Sequence, residues 1–306
     1  NHLQDKVADM LGKEAGLFVA SGTMGNQVSI NAHTQPGQEV ILDSQAHIFY
    51  YEAGGPALLS GVQLRPLVGI NGALTAEQIE EAIRPDNVHF PPTQLICLEN
   101  THNRAGGRIY PIEEIRKIRK VAESHTIQMH LDGARLWNAS VATGISMKEY
   151  ASYFDSVSVC FSKGLGAPIG SLVVGEKSFI QRAHRYRKIY GGGMRQVGIL
   201  AAAAMYAVEN NVQLLSDDHR RARKLAGAVS SLQGFTIDMD SVQTNIVIID
   251  VDAGNTTAQQ ITDALKKKDV LLLAIGPQKL RVVTHLEVTD DGIDRAIGAF
   301  QEIAPK

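Results

Sequence analysis

Short apolar runs alternate with amphipathic stretches along most of this chain. The runs AGLFVA, QEVILD, QLRPLVG, QLICLEN, IQMHLDG, SVSVCFS and GSLVVGE are bounded by polar or glycine-containing segments, which is how strands buried on both faces read. Helical patterns such as PIEEIRKIRKVAESH lie between them and are long enough for crossover connections. This alternation predicts an α/β fold with a large domain over residues 1–210, built on a mostly parallel seven-stranded sheet covered by helices. After the helix-forming stretch QVGILAAAAMYAVEN the pattern changes to a long charged helix (SDDHRRARKLAGAVSSLQ), strands FTIDMD and NIVIIDVD, and a helix TAQQITDALKKKD. Strands VLLLAI and KLRVVTHLEV and a last helix, DDGIDRAIGAFQEI, follow, which predicts a smaller α+β domain over residues 211–306. The chain opens directly in an amphipathic helical pattern, HLQDKVADMLGKEAG, without an initiating Met, so a natural N-terminal segment is expected to precede it.

Composition narrows the classes of function. With 44% hydrophobic and 20% charged residues among 306, the chain reads as globular and long enough for a sizeable core. A formal net charge of -2 and no lysine-arginine block give no field for nucleic acid or an anionic membrane, which leaves small molecules or further copies of the chain as partners. Cys97 and Cys160 lie inside apolar runs, as packed thiols in a reducing compartment do, and cytoplasm is the expected location. No apolar stretch reaches the ~18 residues of a spanning helix.

Candidate chemistry concentrates where apolar runs end, because open α/β sheets bind ligands beyond the carboxyl ends of their strands. In SGTMGN, Gly22 and Thr23 open a helix whose exposed N–H groups suit a phosphate, although an ordinary capped turn reads the same way. Asp132 follows IQMHL and precedes GARLW; a carboxylate there caps a helix, pairs with Arg135 three residues on, or keeps a ring nitrogen protonated. Lys163, between SVSVCF and GLGAP, is either an exposed loop lysine or one placed to attack a carbonyl. His47, in DSQAHIFYYEAGG, is a packing residue or a planar group that stacks on a ring. A phosphate turn, a strand-end aspartate and a strand-end lysine together are the three handles required by pyridoxal 5'-phosphate: phosphate, ring nitrogen and aldehyde. No metal is expected.

With these residues in view the chain resembles the L-threonine aldolases of the fold type I, aspartate-aminotransferase-like class. LFVASGTMGNQVSI, DSQAHIFYYEAGG, ICLENTHNRAGGRIYP, MHLDGARLWNA, SVCFSKGLGAPIGS, YGGGMRQVG and LRVVTHLEV each resemble a family segment, in the same order. The resemblance implies that Lys163 carries the cofactor, that Asp132 pairs with its ring nitrogen, that Arg135 contacts its phenolate edge and that His47 stacks on its face. It also implies a phosphate held by Gly22 and Thr23 with Arg195 from a neighbouring subunit, and a substrate pocket lined by Arg281, His89, Arg135 and Tyr51. Arg281 would take the substrate carboxylate as a guanidinium fork. The implied reaction cleaves L-threonine or L-allo-threonine, both β-hydroxy-α-amino acids, to glycine and acetaldehyde, with His47, His89 or a water between them as base. Implied too is a homodimer or homotetramer with shared sites, and an N-terminal arm with a Ser-Asp-Thr element ahead of residue 1. The alternatives are a β-eliminating lyase or an aminotransferase on a small amino acid, using the same lysine and aspartate, and a non-catalytic scaffold, which would have lost them. A Rossmann dehydrogenase is disfavoured because SGTMGN lacks G-x-G-x-x-G spacing.

Overall fold

The computed structural model describes residues 1–304 apart from 253 and 255. Seven strands form the larger sheet: β1 (Ala15–Val19), β2 (Glu39–Asp43), β3 (Gln63–Leu67), β4 (Thr93–Glu99), β5 (Gln128–Gly133), β6 (Ser156–Cys160) and β7 (Ser171–Gly175), in the spatial order β1-β7-β6-β5-β4-β2-β3. From β6 through β5, β4 and β2 to β3 every pairing is parallel, and β7 is the reversed strand, antiparallel to both β6 and β1. The sheet is therefore mostly parallel, as the apolar runs predict. β2, β6 and β7 are buried at every position, the pattern of strands covered on both faces.

Alternate residues of the same strand face different cores. In β7, Leu172 and Val174 join the core shared with helices His2–Met10, Ile112–Ser124 and Gly198–Asn210, whereas Val173 joins the opposite one with helices Gly22–His33 and Lys177–Ile189. Helix Gly22–His33 rests hard against β6. A Cβ at Gly22 would lie 2.9 Å from Cys160 Sγ, and one at Gly25 would lie 2.4 Å from Ser158 Oγ. Glycine at both positions lets the start of this helix sit directly beside the strand that leads to Lys163.

A second, antiparallel sheet, ordered β10-β11-β9-β8, comprises β8 (Phe235–Thr236), β9 (Ile246–Val251), β10 (Leu273–Gly276) and β11 (Lys279–Val283). Helices Leu215–Val229, Ala258–Lys266 and Asp290–Ile303 share its core. Two expected strands are shorter than their apolar runs: FTIDMD keeps only Phe235 and Thr236 before Asp238 caps a 3-10 turn, and VLLLAI keeps only its end, with Leu271 and Leu273 exposed. Leu215 belongs to the first core and Ala222 to the second, so one helix carries both.

On that helix Asp218 is fully buried, neither of its oxygens has a hydrogen-bond partner, and Arg221 Nη1 is 3.9 Å away. Burial pushes the carboxyl up to about 6, against the opposing pull of Arg221 and His285. The native state thus holds this proton more tightly than the unfolded chain, so stability falls as pH rises from the ordinary carboxyl range through about 6 and the full cost is carried above it. Asp218→Asn is expected to stabilise the protein at pH 7 by about 1–2 kcal/mol, raising Tm by roughly a few degrees. Thermal unfolding across pH checks this: the gap from wild type should close below about pH 4.

Candidate active site

Parallel neighbours bring their carboxyl ends to one edge of the sheet, and the candidate residues follow from that geometry. Asp132 is the penultimate residue of β5 and pairs in register with Ser158 of β6, the strand whose next loop carries Lys163. That loop is pinned from two sides. Gly164 lies where a Cβ would meet Leu215 Cδ2 at 2.7 Å, and Gly166, at φ +73°, lies where one would meet Leu286 Cδ1 at 2.8 Å. A turn from Gly166 N–H to the Lys163 carbonyl, 2.9 Å, closes it. Lys163 is half-buried there.

Asp132 is buried, and its carboxylate accepts from the Ala134 N–H at 3.1 Å and from Asn26 Nδ2 at 2.8 Å. Arg135 does not pair with it. The Arg135 guanidinium instead points Nη1 to Asn103 Oδ1 at 3.3 Å, and Arg281 Nη2 from β11 reaches the same oxygen at 2.8 Å. The Nε atoms of both arginines are buried without a partner. Burial, and secondly the charge of Arg281, push Arg135 down to about 10; Arg281 is lowered in the same direction by burial. Two guanidiniums facing one neutral amide oxygen make a slot with unspent donors, which suits a carboxylate or a phenolate.

His47 opens a single helical turn just beyond β2, where its N–H donates to Glu99 Oε2 at 2.7 Å. Its Nδ1 is 2.9 Å from Glu52 Oε1. Glu52 is buried and also accepts from Asn26 Nδ2 at 2.8 Å and Gln27 Nε2 at 2.6 Å. An anionic Glu52 takes the Nδ1 proton and leaves Nε2 of His47 as the ring's free lone pair. Glu52 raises the pKa of His47 above its ordinary value, more than burial lowers it, and burial in turn raises the carboxyl of Glu52. Tyr51 lies alongside, its ring 5.6 Å from that of His47 and its hydroxyl accepting from Arg104 at 2.8 Å.

At the phosphate turn, Ser21 caps the helix by accepting from Met24 N–H at 3.1 Å, and the N–H groups of Gly22 and Thr23 have no intrahelical acceptor. Arg195 is exposed ahead of helix Gly198–Asn210. His89 is not brought to the site in this chain. It is exposed four residues ahead of β4, at the amino end of that strand, and the residues around it border a cleft with Arg84, Phe90 and His125. The histidine that β4 does deliver is His102, three residues beyond its end, but both ring nitrogens are committed: Nδ1 accepts from Ala105 N–H at 3.1 Å and Nε2 faces Asp43 at 3.2 Å.

Residues 1–253 match the family described as beta-eliminating lyase. The chain belongs to that family. It is 41% identical over 305 residues to low-specificity L-threonine aldolase 1 of Arabidopsis thaliana, covering 98% of this chain and 85% of the relative. It is also 39% identical to an alanine racemase of Cochliobolus carbonum, covering 99% of this chain and 78% of that one. Among solved structures a threonine aldolase of Leishmania major superposes with a TM-score of 0.83 at 19% identity, covering 97% and 87% of the two chains, and this likeness shows the shared fold. In this chain Asp132, Arg135 and the loop of Lys163 thus lie at the carboxyl ends of β5 and β6, where Arg281 reaches in from β11 of the second sheet. Glu52, Asn26, Gln27 and Asn103 join them here without having stood out in the sequence.

Proposed function

We propose that this enzyme is a pyridoxal-phosphate-dependent L-threonine aldolase that cleaves L-threonine or L-allo-threonine to glycine and acetaldehyde. The observation that carries this is the alignment of Lys163, buried Asp132 and the Arg135–Arg281 slot at one edge of the sheet. The residues fit the cofactor: orphaned Nε atoms of Arg135 and Arg281, free N–H groups at Gly22 and Thr23, and a Gly22 that leaves no room for a Cβ. When bound, pyridoxal phosphate supplies a conjugated electron sink for a bond broken at Cα. Lys163 would anchor its aldehyde carbon, buried Asp132 would serve its ring nitrogen, Gly22 and Thr23 would hold the phosphate, and Arg135 would serve the phenolate edge.

Arg281 grips the substrate carboxylate and so turns the Cα–Cβ bond toward the reactive orientation. His47, whose Nδ1 is held by Glu52, uses Nε2 to accept the β-hydroxyl proton as that bond breaks, and Tyr51 closes the pocket beside it. His102 has no free ring nitrogen for this task. Arg195, exposed, is assigned to a neighbouring subunit's phosphate in a homodimer or homotetramer. Exposed Leu58, Leu59, Ile189 and Ile199 offer apolar surface for that contact. Both cysteines are buried and unpaired, and among the described residues no helix is long and apolar enough to cross a membrane; a cytoplasmic location accords with both.

Mixing the cofactor-loaded protein with L-threonine, and reading acetaldehyde through a coupled reductase, tests the reaction. Racemisation of L-alanine without acetaldehyde would instead place the chain with its racemase relative, and pyruvate from L-serine would make it an eliminating lyase. A pH profile tests His47. Because Glu52 raises its pKa, the acidic limb of kcat/KM should lie above the ordinary histidine value, the base being active only once deprotonated. Glu52→Gln should move that limb to lower pH and cut the plateau by about tenfold or more.

A further inference from the structure

Behind Asp132 runs a file of polar groups, buried except for the half-buried His33 at its far end, that the chemistry above leaves unused. His33 Nε2 is 2.7 Å from Ser156 Oγ, Ser156 Oγ is 2.8 Å from His130 Nδ1, and His130 Nε2 is 3.2 Å from Asn26 Oδ1. Asn26 Nδ2 then donates at 2.8 Å to both Asp132 Oδ2 and Glu52 Oε1. His130 and Ser156 are register partners on β5 and β6, and helix Gly22–His33 supplies both ends of the file. Asn26, His130 and Ser156 are all buried.

The direction of every hydrogen can be deduced. Carboxylates only accept, so Asn26 must turn its NH2 to Asp132 and Glu52 and its oxygen to His130. An amide oxygen also only accepts, so His130 carries its hydrogen on Nε2. Burial lowers His130 to about 4, leaving a neutral ring whose Nδ1 is a lone pair, and the Ser156 hydroxyl therefore donates into it. Ser156 Oγ is then free to accept from Nε2–H of His33, which burial lowers to about 3 and so keeps neutral. All the donors point one way, toward two carboxylates that share a single amide, and in so dry a setting each bond polarises the next.

We infer that His130 is a positioning residue: backed by Ser156 and His33, it locks the Asn26 amide so that one NH2 group serves both Asp132 and Glu52. The geometry stands by itself, while its bearing on catalysis rests on the proposed function, in which Asp132 seats the ring nitrogen and Glu52 orients His47. An amide turned over would aim its oxygen at two carboxylates and push both off position.

The test uses the full chain loaded with pyridoxal phosphate, with His130→Leu, which cannot donate to Asn26, and His130→Gln, whose amide nitrogen can. His130→Leu should weaken cofactor binding by about tenfold or more and shift the cofactor's absorption band, with kcat falling more than KM rises, and His130→Gln should recover most of each. Histidine-selective 15N NMR of the unloaded protein should show His130 neutral and protonated on Nε2 from about pH 5 to 8. Ser156→Ala, which removes one hydroxyl and keeps the fold readable should His130→Leu not fold, should lose affinity in the same direction and move the ring hydrogen toward Nδ1. Wild-type affinity in both His130→Leu and Ser156→Ala, a Gln variant no better than Leu, or a His130 that titrates or carries its hydrogen on Nδ1 in the wild type would overturn the inference. A wild-type protein that binds no pyridoxal phosphate overturns the proposed function instead, and the NMR tautomer then reads the relay separately.

Discussion

Lys163→Ala is expected to lower kcat for threonine cleavage by at least about three orders of magnitude and to remove the cofactor band that depends on a covalent link to the protein. The scale is that of deleting a group that forms a covalent bond during turnover. The geometry explains why no neighbour should substitute. The loop after β6 is held by Leu215 against Gly164 and by Leu286 against Gly166, so its one lysine is carried at a fixed place five residues beyond Ser158, the register partner of Asp132 on β5. Lys177, the next lysine along the chain, starts the helix that follows β7, the reversed strand, and so lies at the opposite end of the sheet. Cofactor should still associate weakly with Lys163→Ala through Gly22, Thr23 and Asp132, and dialysis followed by an absorption spectrum separates that retention from the covalent link. Loss of activity with the band unchanged would give Lys163 a role other than anchor.

The parts of this site that were legible in the sequence are those that depend on local order. A carboxylate or lysine at or just after the end of a largely apolar run sits at a strand end whatever the rest of the fold does, and Asp132, after IQMHL, and Lys163, after SVSVCFS, do so. Gly22 reads in the same way, as a small residue at a strand-to-helix turn. His89, which the family resemblance alone brought forward, precedes the run QLICLEN rather than following it, which puts it at the amino end of β4, away from the carboxyl ends where ligands gather in such sheets. What the sequence hides are pairings across long separations. Asn26 meets Asp132 at a separation of 106 residues, and Arg281 meets Asn103 at 178. Glu52 had a faint local signal, an acid amid FYYEAGGPALL whose charge demands a partner once buried. The shortened strands β8 and β10 fail for another reason: at sheet edges an apolar run need not be paired, and Leu271 and Leu273 remain in solvent.

Arg281→Met is expected to raise KM for threonine by about two orders of magnitude, lower kcat by a smaller factor, and stabilise the protein without substrate. The first effect follows from losing a charge-assisted fork to the substrate carboxylate in a half-dry slot, where truncating one partner of a buried ion pair costs about 2–5 kcal/mol. The smaller fall in kcat follows because the carboxylate contact also turns the Cα–Cβ bond, and a substrate held by fewer groups samples the productive angle less often. The gain in stability comes from the resting protein. There Arg281 and Arg135 converge on Asn103 Oδ1, each with a buried Nε that no acceptor reaches, and each lowers its affinity for a proton because burial and, for Arg135, the neighbouring charge disfavour the cation. Removing one of two like charges relieves the other, so thermal unfolding without substrate should occur at higher temperature in the variant, the exchange of stability for function that binding sites commonly show. In wild type, a carboxylate ligand such as glycine should raise the unfolding temperature by filling the same slot, and in Arg281→Met that ligand-induced rise should be lost. A variant that loses activity but neither gains stability nor loses the glycine effect would mean that the carboxylate is held elsewhere.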